Sequence, residues 1–250
     1  MLTKFLNKLI ILLNISKNTF TENLVSESKN NIKNVENREQ YLENPVNEKA
    51  MFRKMMKSRL SEYTQNFLKI KKNAESAFLI FTQSDLYRES RTILAFISME
   101  LEMETREVIK KALADGKRVA VPRTIPKTCG MDFYFLSPKT SLESQLEKSE
   151  YGILEPKTDL EKLEPERLPI HTVLLVPGLA YGKDGARLGH GKGFYDRYIE
   201  KLYAQKSEIH LPVALVGWGF SMQVFDEVPI EDHDFMLTHI VTEKGIMLCK

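Results

Sequence analysis

The stretch Val176-Pro177-Gly178-Leu179-Ala180-Tyr181-Gly182-Lys183-Asp184-Gly185-Ala186-Arg187-Leu188-Gly189-His190-Gly191-Lys192-Gly193-Phe194-Tyr195-Asp196-Arg197 decides the reading of this chain. The apolar run from His171 to Val176 predicts a buried strand. Pro177-Gly178 then turns the chain. Gly185, Gly189, Gly191 and Gly193 follow, with Arg187, His190, Lys192 and Arg197 among them. Phe194 to Tyr203 reads as a helix. A strand, a basic glycine-rich loop and a helix N-terminus make an anion site, because glycines let backbone N–H groups approach phosphate and the helix end favours negative charge. Asp196, just inside the helix, can hold a metal ion against the phosphates. No Gly-Lys-Ser/Thr ends the loop, so it is not a Walker loop, and its glycine spacing is not that of the dinucleotide fingerprint.

Outward from this loop the chain alternates. Val46–Phe67 and the region around Ala74–Thr82 read as helices, and Thr92–Ser98 as an apolar strand. Thr105 is placed to N-cap a helix that ends at Gly116. Lys117–Val121 reads as a strand stopped by Pro122, and Asp132–Leu136 as an alternating strand. Val213–Trp218 and His239–Thr242 are the last strands expected. This repetition predicts an α/β fold: a three-layer αβα sandwich with a mostly parallel sheet, Rossmann-like and close to sugar-phosphate isomerases in architecture. Ligands in such sheets sit beyond the carboxyl ends of the strands. Glu102, Arg123 and the glycine loop all follow strand ends, so one crevice can gather them.

The 250 residues are 42% hydrophobic, enough for one domain with its own core. The 36 basic and 34 acidic residues nearly balance, which argues against a nucleic-acid partner. Cys129 and Cys249 form neither metal spacing nor a redox pair. Residues 1–45 read as a disordered or targeting extension, and 46–250 as the folded domain. Met1–Ile15 is apolar, carries Lys4 and Lys8, and is too short for a membrane span. Asn14-Ile15-Ser16 is a poor cleavage site, which leaves a mitochondrial presequence within residues 1–20 or an unstructured appendage.

Arg187-Leu188-Gly189-x-Gly191-x-Gly193-x-Tyr195-Asp196 resembles the signature of the 5-formyltetrahydrofolate cyclo-ligase (5,10-methenyltetrahydrofolate synthetase) family. Further segments align in order: Lys49 with Arg53, Glu102-Met103-Glu104-Thr105, Val121-Pro122-Arg123, Gly152–Pro156, and Val228-Pro229 through Asp234. The resemblance implies an ATP-driven ring closure. ATP phosphorylates the formyl oxygen of 5-formyltetrahydrofolate, nitrogen 10 attacks, and 5,10-methenyltetrahydrofolate, ADP and phosphate result.

What the resemblance implies can be set residue by residue. Lys192, Arg187 and His190 are the catalytic candidates, near the transferring phosphoryl group. ATP would be held by Lys49, Arg53, Arg187, Leu188, Gly189, His190, Gly191, Lys192, Gly193, Phe194 and Tyr195. The folate would meet Ile97, Glu102, His190, Gly191, Lys192, Gly193 and Phe194, with the Glu102 carboxylate accepting two parallel hydrogen bonds from the pterin. Asp196 and Asp234 match the family's magnesium-binding pair, so Mg2+ is the expected cofactor. The family often has Tyr or Arg where His190 stands. Without the resemblance, Lys49 and Arg53 read as part of a solvated basic face with Lys54, Lys57 and Arg59. The expected partners are ATP and 5-formyltetrahydrofolate, with no nucleic acid and no membrane span, in a cytoplasmic monomer. Two other classes stay open: a sugar-phosphate isomerase-like enzyme, and a non-catalytic cyclo-ligase-like domain with an RNA-binding or structural role.

Overall fold

The structure is a computed structural model that describes residues 45–125, 128, 130–149, 152–168, 171–204, 213–231 and 234–249. The expected extension up to residue 44 lies outside them, as do Cys129, Asp232 and His233. The chain divides into two compact units, Met1–Met51 and Phe52–Lys250. The sheet belongs to the second.

Helix α1 (Pro45–Thr64) is followed by α2 (Phe67–Thr82) and a short α3 (Asp85–Glu89). Strand β1 (Thr92–Leu94), helix α4 (Arg106–Ala114) and strands β2 (Arg118–Ile125) and β3 (Gly130–Phe135) come next. After a small hairpin of β4 (Leu146–Lys148) and β5 (Leu154–Pro156), β6 (Thr172–Val176) returns to the sheet. Then follow β7 (Ala180–Gly182), β8 (Arg187–Leu188), α5 (Phe194–Ala204), β9 (Val213–Trp218), β10 (Val224–Phe225), β11 (His239–Thr242) and β12 (Gly245–Leu248).

The main sheet has seven strands in the order β12-β11-β9-β6-β1-β2-β3. Its inner pairs are parallel, and β12 and β3 run antiparallel at the edges. Every residue of β1 and β6 is buried. That is the pattern of parallel strands covered on both faces. On one face Leu94, Ala120, Leu174, Leu215 and Ile240 share a core with Tyr198, Ile199 and Leu202 of α5. On the other, Trp218 meets Phe81 of α2 edge-on with ring centroids 5.6 Å apart. Burying each such large apolar side chain stabilises by about 1.5–3 kcal/mol. The expected layered α/β fold is therefore present.

Four local expectations need correction. Strand β1 ends at Leu94 rather than Ser98, and the Phe96 carbonyl is taken by the Thr105 hydroxyl at 2.5 Å instead of a ladder partner. Pro122 does not stop β2, which continues to Ile125. Its pairing with β1 stops at Ala120, so beyond that point β2 has a ladder only with β3, and a missing N–H on the open side costs nothing. The segment after β6 is not a plain loop, because β7 and β8 form a hairpin that β10 joins in a separate small sheet. Finally, β11 is followed by an antiparallel partner, β12.

From β1 the chain crosses to β2 on one side and later returns as β6 on the other. The strand order thus reverses between β1 and β6. A crevice opens at such a point beyond the carboxyl ends. The segment Ala95–Glu102 leaves one lip and Pro177–Gly193 leaves the other.

The Tyr181 ring fills the space beyond β6 and β9. Its hydroxyl donates to the carbonyls of Trp218 at 2.9 Å or Val176 at 3.2 Å. Cβ atoms built at Gly178, Gly217 and Gly219 would lie 2.9, 2.8 and 2.6 Å from that ring. Such overpacking costs typically about 1–3 kcal/mol. Gly217→Ala should therefore lower the free energy of unfolding in urea by about that amount. Unchanged stability would show that the ring is not confined.

Candidate active site

The lower wall of the crevice is built from Arg187 on β8. Its side chain is only 6% exposed. One guanidinium nitrogen donates to the Pro177 carbonyl at 3.2 Å and the other to Asp196 Oδ1 at 2.7 Å. The guanidinium also stands 5.8 Å from the centre of the Tyr195 ring. One side chain thus ties the exit of β6 to the first turn of α5. Gly189 permits it, because a Cβ there would lie 2.7 Å from the Arg187 guanidinium.

The loop is held from above by Arg53 of α1, whose Nε donates to the Gly189 carbonyl at 3.0 Å. Gly191 and Gly193 have φ of +97° and +67°, a backbone that side chains rarely adopt. Arg197 caps the turn by donating to the Lys192 carbonyl. His190, Gly191 and Lys192 are exposed at its tip. Although the His190 side chain reaches the surface, desolvation by the protein around it, then the Lys57, Arg187 and Arg53 charges, push its imidazole below the usual value.

On the opposite lip, Glu102 Oε2 accepts from the Met99 N–H at 2.8 Å. Burial raises its carboxyl to about 7, only partly offset by that hydrogen bond. Its charge is felt at both Tyr181 and Tyr195, as is that of Arg187. The Tyr195 hydroxyl is buried with no hydrogen-bond partner among the described residues. Burial and then the Glu102 charge hold it well above the ordinary phenol value, so it stays a neutral donor. Ile97 is buried.

The structure brings together Arg53, Arg187, Gly189, His190, Gly191, Tyr195 and Asp196 around the loop, with Glu102 facing them. Leu188 is buried, and its carbonyl accepts from Leu179 N–H at 2.7 Å, so only its backbone borders the site. Phe194 and Tyr195 pack in part against the core. Lys49, in the first unit, is buried one helical turn before Arg53 on α1. Asp234 Oδ2 accepts from the Glu231 N–H at 2.7 Å in its own turn. Arg123, inside β2 and beyond its last pair with β1, bonds Glu147 and the Pro156 carbonyl and so anchors the β4–β5 hairpin.

Among the described residues no group of three or more His, Cys, Asp or Glu side chains is placed to hold a metal ion. Asp196 gives one oxygen to Arg187, so at most its other oxygen is available to an ion. Magnesium suits such a place, since it takes one or two carboxylates and completes its shell with phosphate oxygens and water.

The sequence model of the 5-formyltetrahydrofolate cyclo-ligase family matches residues 45–243. The chain belongs to this family. It is 26% identical over 195 residues to a probable 5-formyltetrahydrofolate cyclo-ligase of Caenorhabditis elegans, covering 78% of this chain and 92% of that one. The 5-formyltetrahydrofolate cyclo-ligase of Escherichia coli K12 is 31% identical over 157 residues, or 63% and 80% of the two chains. An NMR structure of the Aquifex aeolicus 5,10-methenyltetrahydrofolate synthetase superposes with a TM-score of 0.64 over 81% of this chain and 93% of that one. At 23% identity this last likeness concerns the fold.

Within this cyclo-ligase fold, three elements escaped the sequence reading. Lys57 was assigned to a solvated face, yet it repeats the Lys49–Arg53 spacing and its charge reaches His190. Glu104 organises the Glu102 segment. It accepts from the Ser98 hydroxyl at 2.5 Å, from the Thr105 and Arg106 N–H groups at 2.9 Å each, and from the Arg106 guanidinium. Against the upward push of burial, the Ser98 and Arg106 contacts hold its carboxyl below the ordinary value. The expected Thr105 side-chain cap is absent, because its hydroxyl is spent on Phe96 while Glu104 serves the helix N–H groups. Third, Gln223 donates to the Gly178 carbonyl at 2.7 Å and accepts from the Phe220 N–H at 2.7 Å, tying the chain just past β6 to the chain just past β9. No short-range signal marks that contact.

The raised Glu102 carboxyl has a thermodynamic consequence. A carboxyl with a higher pKa folded than unfolded binds protons more tightly in the folded state, so stability falls as pH rises from the unfolded value towards about 7. Glu102→Gln should therefore raise the Tm of the ligand-free protein at pH 8 and raise it much less near pH 4.5. An equal shift at both pH values would mean that Glu102 titrates as an ordinary exposed acid.

Proposed function

We propose that this chain converts 5-formyltetrahydrofolate and ATP to 5,10-methenyltetrahydrofolate, ADP and phosphate. One observation carries the reading. In a member of the cyclo-ligase family, the glycine loop forms a preorganised cationic turn at the sheet's reversal point, facing a carboxylate suited to a pterin.

The N-formyl group is an amide and a poor electrophile. Its oxygen attacks the terminal phosphorus of ATP, and the bond from that phosphorus to the bridging oxygen breaks, releasing ADP. The formyl carbon is then an iminium carrying a phosphate leaving group. Nitrogen 10 adds to it, loses its proton, and phosphate departs with its oxygen. Little covalent chemistry falls to the protein. Alignment and neutralisation of phosphoryl charge are what it supplies.

Arg53 and the backbone of Leu188–Tyr195 hold the triphosphate. Arg187, Lys192 and His190 face the phosphoryl group, where fixed cations stabilise charge as it develops. Lys192 is exposed at the loop tip, ready to fold over a bound ligand. Glu102 receives the pterin N–H groups above the apolar wall at Ile97, with Phe194 and the loop glycines on the other side. Asp196 and Asp234 are the residues that would hold Mg2+, which would supply neutralisation of phosphate charge.

No described helix is long and apolar enough to cross a membrane. A cytoplasmic monomer fits the reading, with mitochondrial import if residues 1–20 act as a presequence. Residues 1–45 then form an extension outside the catalytic domain of 46–250.

Two measurements test this reading. ADP release should require 5-formyltetrahydrofolate and match methenyltetrahydrofolate formation one for one; equal ADP release without the folate would remove the assignment. Lys192→Ala should lower kcat by about a hundredfold or more while leaving the KM for folate nearly unchanged, since its charge acts mainly in the transition state. A change confined to the folate KM would move Lys192 out of the phosphoryl site.

A further inference from the structure

Between β1 and α4 the chain is closed on itself by nested bonds. Outermost, the Thr105 hydroxyl donates to the Phe96 carbonyl at 2.5 Å. Inside that, the Ser98 hydroxyl donates to Glu104 Oε1, also at 2.5 Å. Innermost, Met99 and Glu102 bond each other in both directions. The Glu102 N–H donates to the Met99 carbonyl at 3.0 Å, and the Met99 N–H donates to Glu102 Oε2 at 2.8 Å. The Glu102 carboxylate is thus held on its own turn, and the Ser98–Glu104 bond closes directly around that turn.

Arg106 completes the middle closure. A single guanidinium nitrogen, Nη1, donates to the Ser98 hydroxyl at 3.2 Å and to the Glu104 oxygens at 2.9 and 2.8 Å. Ser98, Glu104 and Arg106 therefore form a triangle in which each bonds the other two. Glu104 Oε1 also accepts from the Thr105 and Arg106 N–H groups, which fastens the triangle to the start of α4. Ser98 is buried, while the Glu104 and Arg106 side chains are 43% and 27% exposed. An ion pair that open to solvent contributes little to the stability of the whole fold. What the triangle does is remove freedom from the backbone between Ser98 and Glu104, the freedom a carboxylate must lose before it can meet two donors at once.

We infer that Ser98, Glu104 and Arg106 are positioning residues that hold Glu102 in place and set folate affinity through it. The inference rests on the reading of Glu102 as the acceptor of the pterin N–H groups. A carboxylate that receives two parallel N–H groups must match both in direction. The Met99–Glu102 turn fixes where the Glu102 side chain starts, and the triangle fixes where that turn starts. Arg106 also balances the Glu104 charge, so a second carboxylate two residues from Glu102 does not oppose its ionised form. Every bond of the triangle stays between Ser98 and Arg106, so its loss should spare the glycine loop.

The test uses the full chain, with 5-formyltetrahydrofolate and ATP each titrated alone by calorimetry. Glu104→Gln should weaken 5-formyltetrahydrofolate about tenfold, the scale of one hydrogen bond to a charged group. ATP affinity, and kcat at saturating folate, should change little. Ser98→Ala leaves the α4 N–H groups their acceptor and should show the same pattern with a smaller loss. Arg106→Leu should weaken folate, whereas Arg106→Lys should keep most of the affinity, because all the side-chain bonds of Arg106 leave from one nitrogen. Glu107→Gln, an acid of the same helix turn outside the triangle, should have little effect. In a Glu102→Gln background, Glu104→Gln should cost almost nothing further, since its effect runs through Glu102. An equal cost in both backgrounds, an equal loss from Glu107→Gln, or an equal weakening of ATP would each overturn the inference. Hydrogen exchange at the Met99 amide needs no ligand and judges the positioning by itself. Glu102→Ala gives the exchange rate without the carboxylate acceptor, and Glu104→Gln should move the Met99 rate towards it. An unchanged Met99 rate in Glu104→Gln would overturn the positioning role. If Glu102→Gln leaves folate affinity intact, the pterin reading of Glu102 fails and the consequence for folate falls with it, while faster Met99 exchange in Glu104→Gln would still show that the triangle holds Glu102.

Discussion

The Arg187–Asp196 ion pair is the contact on which the site depends. A guanidinium whose side chain is 6% exposed would be costly unless paired and hydrogen-bonded, and here it is both. Its three partners come from two places: the Pro177 carbonyl just past the end of β6, and, in the first turn of α5, the Asp196 carboxylate and the face of Tyr195. The loop between those places has little freedom left. Gly189 must lack a side chain for the guanidinium to fit, and Gly191 and Gly193 take up the left-handed turns that the shortened path demands. Glycines that look like flexibility in the sequence are, in the fold, the condition for a rigid turn.

A second layer fixes where that turn stands. Tyr181 and Gln223 bond the backbone at the ends of β6 and β9, and Arg53 reaches across from α1 to the Gly189 carbonyl. These contacts aim the loop at the point where the sheet order reverses. On the far lip, Glu104 gathers Ser98, Thr105 and Arg106 and so presents Glu102 without being replaced by it. The two acids sit two residues apart and have opposite electrostatic fates: one is raised by burial, the other lowered by hydrogen bonds that outweigh burial. A cationic side and a half-buried carboxylate side thus face each other across one crevice, the division that the proposed reaction between ATP and a pterin requires.

Much of this was legible in the sequence because parallel strands buried on both faces leave continuous apolar runs, as at Thr172–Val176 and Val213–Trp218. The glycine loop stood out because glycines and cations interleave there. What was not legible depended on contacts far apart in the chain. Pro122 ends a strand by local rules, yet here it lies past the last β1 pair and breaks no bond. The two- and three-residue strands of the β7–β8 hairpin are too short to carry a period. Thr105 has the residue type of a cap, but its hydroxyl is taken by a carbonyl nine residues earlier. Arg53 shows the limit from the other side: its place on a basic helix face was visible, and only the fold showed that it bonds the Gly189 carbonyl.

The central claim is that the cationic turn serves transfer of a phosphoryl group to the formyl oxygen. It is tested most directly by turning over 5-formyltetrahydrofolate labelled with oxygen-18 in the formyl group, and analysing the phosphate released by mass spectrometry. Phosphate carrying one labelled oxygen for each methenyltetrahydrofolate formed is the expected result, because that oxygen leaves with the phosphorus. Unlabelled phosphate beside fully formed product would contradict it, and would mean that ATP is cleaved at this loop without activating the formyl group.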